Sequence, residues 1–126
     1  MCLTRILDMP LPESGFGFKV IQHHTGLGIL DTFFSNVLHT IFLPNEWITD
    51  AYNKYLYQEN EPHNTYKSGF HIFDEKRYAD EFRDAYFSNG FGSELKVFKV
   101  EYKDVVCVGL QNNAIVIVAK RIKVCV

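Results

Sequence analysis

The last third of this chain constrains its fold most: short apolar and β-branched runs divided by polar pairs. Residues 95–102 read as a strand, Lys103-Asp104 as a tight turn and residues 105–110 as the returning strand. Gln111-Asn112-Asn113 reads as a second turn, because Asn accepts the left-handed conformation that tight turns require. Residues 114–119 and 121–126 complete the set. Strands joined this tightly pair antiparallel. The rest of the chain must extend that sheet or cover one of its faces.

The preceding residues offer both. Residues 10–15 form a turn-rich lead-in, and 16–22 alternate as a strand with Phe16, Phe18 and Val20 on one face. Residues 23–28 read as a turn. Residues 29–42 carry two conflicting signals. Ile29, Leu30, Phe33, Phe34, Val37, Leu38, Ile41 and Phe42 recur at helical spacing. Thr32, Ser35, Asn36, His39 and Thr40 are poor helix formers, and Ser35-Asn36 suits a hairpin turn. Residues 45–57 read as a helix begun by Pro44 and Asn45, with Trp47, Ile48, Ala51, Tyr52, Tyr55 and Leu56 on its apolar face. A polar loop over 58–65 and a short strand over 69–73 follow. Asp74 caps a helix reaching about Tyr86, with Tyr78, Phe82, Ala85 and Tyr86 facing inward. The expectation is an α+β single domain over 1–126: a mainly antiparallel sheet with one or two packed helices.

At 47% hydrophobic residues the chain is too apolar to stay disordered. No apolar stretch approaches the ~18–20 residues that span a bilayer, and the N-terminus lacks a signal-peptide pattern. Three widely spaced cysteines make no disulfide framework. Cys107 and Cys125 read as small core side chains, and a reducing cytoplasm is the expected setting. Cys2 would need a general base and an oxyanion partner to act as a nucleophile, and the sequence supplies neither.

Charge is unevenly spread. Residues 1–60 hold three basic and six acidic side chains, and residues 94–126 hold six and three, net −3 against +3. The basic end comprises Lys96, Lys99, Lys103, Lys120, Arg121 and Lys123, a pattern that suits nucleic acid or an acidic protein. The pI of 6.2 stands well below that of most nucleic-acid-binding domains. The middle of the chain is acidic and aromatic. Trp47, Tyr52, Tyr55, Tyr57 and Tyr66 lie near Asp50, Glu59 and Glu61, with Tyr57 and Tyr66 expected to be exposed beside the polar loop. Tyr and Trp favour interfaces because they bury large area at little entropic cost. Trp47, Tyr55, Tyr57, Glu59 and Tyr66 are therefore candidate partner contacts.

Histidines give no metal pattern. Being adjacent, His23 and His24 would point to opposite faces if they lay on a strand, and no Cys/His spacing matches zinc. No metal or other cofactor is expected. His71, between Phe70 and Ile72, suits a structural hydrogen bond, a ligand contact or a base.

Several segments occur in a telling order: Gly17-Phe18-Lys19-Val20, Leu27-Gly28, Phe34-Ser35-Asn36, Asn45-Glu46-Trp47, Ser68-Gly69-Phe70-His71 and Ala119-Lys120-Arg121-Ile122-Lys123-Val124. This order resembles a group of small uncharacterised bacteriophage and prophage proteins, with Ser68 where that group has Pro. The resemblance favours strands over 29–42 and implies a phage origin. With no complete catalytic constellation, it leads to a binding protein that docks on a host protein of defence or nucleic-acid metabolism. A second set of segments resembles the ADP-ribosyltransferase scaffold: His24-Thr25-Gly26 ending a strand, Gly69-Phe70-His71 before a helix, and Asn113 where that scaffold has its catalytic Glu. It implies a nucleotide cleft lined by His24, Thr25, Phe70, His71 and Asn113. Asn cannot supply the carboxylate, so the cleft would bind NAD or a nucleotide without transfer.

Overall fold

A computed structural model describes residues 3–25, 32–35, 41–50, 55–57, 65–86 and 94–126. The elements in order are β1 (Arg5–Ile6), β2 (Ser14–Thr25), β3 (Thr32–Ser35), β4 (Ile41–Phe42), β5 (Trp47–Thr49), β6 (Tyr55–Tyr57), β7 (Thr65–Lys67), β8 (Phe70–Phe73), α1 (Lys76–Tyr86), β9 (Glu94–Gln111) and β10 (Ala114–Val124). The described residues are thus mainly antiparallel sheet with a single helix, as the sequence pattern leads one to expect.

The β9–β10 hairpin is the frame. It pairs from Gln111↔Ala114 to Val100↔Val124, and Asn112 in its two-residue loop takes φ 55°. Lys103-Asp104 is not a turn. β9 runs straight through it, with Asp104 at φ 56°, a conformation Asp tolerates. Val106 is the extra residue of a bulge opposite Val118 and Ala119. The four expected C-terminal strands are therefore two. A polar pair that kinks a paired strand carries the same composition as one that reverses it.

Pairing then closes on itself. β9 pairs β2 from Ser14↔Lys103 to His23↔Glu94, β10 pairs β8, and β8 meets β2 at Phe18↔Phe73. Gly17 permits that last approach: a Cβ there would lie 2.8 Å from the Phe73 carbonyl oxygen. One face of this ring of strands buries Ile21, Phe70, Ile72, Val100, Tyr102, Ile117 and Ile122 as the inner core. The other face, at the hairpin-loop end, is covered by α1 and the N-terminal segment. There Leu3, Tyr66, Phe73, Ala79, Val116 and Val118 are buried, with Phe18, Val20, Tyr78 and Phe82 packed against them. Cys107 is buried in this layer, whereas Cys125 is only half-buried. Burial pushes the Cys107 thiol up to about 11, so it stays an uncharged core group. Ala85, expected to face inward, is exposed, and Ala79 takes that role.

The largest departure from the sequence reading is at 45–57, which holds no helix in its described residues. β5 pairs β10 through Trp47↔Lys123, Ile48↔Ile122 and Thr49↔Arg121, and β6 pairs β7. Asn45 at φ 60° and a Glu46 N–H to Leu43 C=O bond of 3.3 Å make Pro44-Asn45 a turn rather than a helix start. The unpaired backbone edge of β10 outweighs the helical spacing, because buried N–H and C=O groups need partners. Over 29–42 the described residues are strands: β3 pairs β2 and β4. β2 also continues to Thr25, past the turn expected from His23.

Candidate functional site

The fold separates the candidate residues into a buried cluster and an exposed face. Tyr66, expected on the surface, is 4% exposed. Its hydroxyl lies 3.0 Å from His71 Nε2 and accepts the Leu3 N–H at 3.0 Å. His71 Nδ1 lies 3.2 Å from the Gly69 carbonyl oxygen. A carbonyl can only accept, so Nδ1 carries the proton, Nε2 accepts, and Tyr66 donates to it. Every group in this relay is satisfied with a neutral imidazole. Burial, reinforced by the nearby Lys19 ammonium, pulls the His71 pKa down to about 3. With Nε2 occupied and the ring buried, His71 is a structural link between β7, β8 and the N-terminal segment, not a base facing substrate.

Lys19 is a further buried polar group here. It projects to the inner side of β2, between Gly17 and Ile21, and its Nζ donates to the His71 carbonyl at 3.0 Å. Desolvation lowers its pKa to about 8.

Among the described residues, Phe70, His71 and Asn113 do not line one cleft. Phe70 packs in the inner core, edge-on to Phe42 at 5.4 Å, while the His71 ring sits on the opposite side of the same strand. Phe70 and His71 pair with Ala119 and Val118 of β10. Asn113 lies in the hairpin loop, five to six residues further along, roughly 17–20 Å away at strand rise. The His24 and Thr25 side chains lie outside the described residues. Their backbone continues β2 beyond the end of β8. Among the described residues no three His, Cys, Asp or Glu side chains are placed to hold a metal. No helix among them is long and apolar enough to cross a membrane.

The exposed face spans β2, β9, β10 and β5. Register places Phe16 opposite Glu101, Glu101 opposite Lys123, and Lys123 opposite Trp47. A single row thus runs aromatic, acid, base, aromatic. The adjacent row reads Ser14, Lys103, Arg121, Thr49. Phe16 is 56% and Trp47 37% exposed. Lys99 Nζ sits 4.8 Å from the Phe16 ring centroid, and Lys103 and Lys123 sit 4.0 and 5.1 Å from that of Trp47. Arg121 pairs with Asp104 at 2.9 Å and Lys123 with Glu101 at 3.1 Å. Among the described residues Lys99 and Lys103 pair with no carboxylate. Lys120 pairs with Asp50 at 3.7 Å. Lys96 stands opposite Ile21, on the other side of β9 from Lys99 and Lys103, so the basic end does not act as one patch.

Of the five partner-contact candidates, the structure places only Trp47 on this face. Tyr66 belongs to the core, and Glu59 and the Tyr55 and Tyr57 side chains lie outside the described residues. The sequence reading missed Phe16. Its alternation with Phe18 was legible, but not that α1 stops short of it. No family model matches the chain, nor does any curated protein or solved structure.

Proposed function

We propose that this protein acts by binding, and that its docking face is the Phe16–Trp47 surface of β2, β9, β10 and β5. The observation that carries this reading is the pair of exposed rings with lysine ammonium groups resting over them. An exposed cation–π contact is worth about 0.5–1 kcal/mol. Stacking of an aromatic partner contributes about 1–3 kcal/mol per ring. An incoming planar group therefore displaces the ammonium, which stays close enough to meet a negative charge. Lys99, Lys103, Arg121 and Lys123 outnumber Glu101 and Asp104 on this face, which selects an anionic partner. The buried relay of Tyr66 and His71 favours fastening over catalysis. A phage setting, with a host macromolecule as target, belongs to the same reading and is supported by the order of segments in the sequence.

Retention on a sulfated-polysaccharide resin tests the face, since a formal charge of −2 gives the chain as a whole no attraction for a polyanion. The native protein is expected to be held at low salt, and the variant Lys99→Glu/Lys103→Glu to elute at distinctly lower salt. Flow-through of the folded native protein would remove this surface as a docking site.

A further inference from the structure

Resting on that docking face, we infer that its occupant is a single-stranded nucleic acid. Each exposed ring has an ammonium group within 4–5 Å of its centroid, Lys99 at Phe16 and Lys103 at Trp47. A ring beside a cation matches the two parts of a nucleotide, a flat base and a phosphate. The face repeats that unit at both ends of one row, three strand spacings apart, or roughly 14 Å. A strand with unstacked bases can use both units; every base has a π-face, so sequence matters little. Duplex DNA cannot use them. Its bases are stacked inside, and a face four strands wide does not enter a major groove about 12 Å across. An acidic protein would satisfy the lysines and could cover the rings, but it has no need of a cation held at each ring, which a base with its phosphate does.

The test is fluorescence anisotropy of a labelled oligothymidylate of about 12 nucleotides, with the same-length duplex and polyglutamate as competitors. Single-strand binding is expected, weakening with salt, and at least tenfold tighter than duplex or polyglutamate. Trp47→Leu and Phe16→Leu should each weaken it about five- to tenfold, while Trp47→Phe, which keeps a ring, should restore most of the loss. Thermal melts confirm that each variant is folded. Equal competition by polyglutamate, or affinity indifferent to both rings, would overturn the inference while leaving an anionic docking face intact. No oligonucleotide binding by a protein still retained on the sulfated resin has the same meaning. Failure of both experiments removes the docking face itself.

Discussion

Tyr66 and Trp47 both sit on short strands beside the long hairpin, and they end in opposite environments. Tyr66 on β7 is buried, with its hydroxyl between the Leu3 N–H and His71 Nε2. Trp47 on β5 is half out in solvent, with two lysines over its ring. The phenol tip is what allows Tyr66 to be buried, since it joins two polar groups that would otherwise be stranded. The ring face is what Trp47 offers, and only cations that water also holds well cover it. Burial with a satisfied tip marks a fastening. An exposed face under movable cations marks a contact.

The largest expected effect is on the fastening. Tyr66→Phe keeps the ring but strands the Leu3 N–H and His71 Nε2, at about 1–3 kcal/mol each. Urea unfolding should show a loss of about 2–6 kcal/mol. A loss below about 1 kcal/mol would mean that the relay is dispensable and the two aromatics are less different than they look.

Next is the lysine beneath the relay. The folded pKa of Lys19 is about 8 against 10.5 for the free group. Between those values the unfolded chain holds the extra proton, so stability rises with pH through this window. Below about pH 8 the folded state carries the full cost of a buried charge. Lys19→Met should therefore raise stability at pH 7, by on the order of 2–3 kcal/mol, and abolish the rise between pH 8 and 10.5. His71 behaves differently. Its folded pKa of about 3 lies below the free value of 6.5, so its contribution is complete above pH 6.5 and is lost as pH falls towards 3. Burial is the larger cause, so this acid limb should persist in Lys19→Met. Chemical denaturation across pH reads both limbs.

The antiparallel hairpin, the Asn112 turn and α1 were legible because each depends on local pattern: alternation, a left-handed residue, a 3.6-residue stripe. The reading failed where a distant edge decided the outcome. Trp47, Ile48, Tyr55 and Leu56 have helical spacing, yet β10 offers backbone partners to the first two and β7 to the last two, which no local pattern reveals. Lys103-Asp104 looks like a turn because Asp104 does adopt a turn conformation, but inside a continuous ladder. Trp47 was legible as a contact by its type. The lysines that join it come from register, fixed only once β5 docks on β10.

The smallest effect gives the sharpest comparison, between two phenylalanines on one strand. Phe16 and Phe18 share a face of β2, but Phe18 packs against the layer that includes Ala79 and Phe82, whereas Phe16 is 56% exposed beneath Lys99. Phe18→Ala should cost about 2–3 kcal/mol, less than a fully buried phenylalanine because its burial is partial. Phe16→Ala should cost no more than about 1 kcal/mol, the value of its cation–π contact plus a little apolar area. Parallel thermal and urea melts of the two variants read the difference. Equal losses would make Phe16 a packing residue, and its exposure would then say nothing about a partner. A small loss, set beside weakened oligonucleotide binding by Phe16→Leu, assigns the ring to contact, because a group that barely stabilises the free protein but matters to the complex acts in the complex.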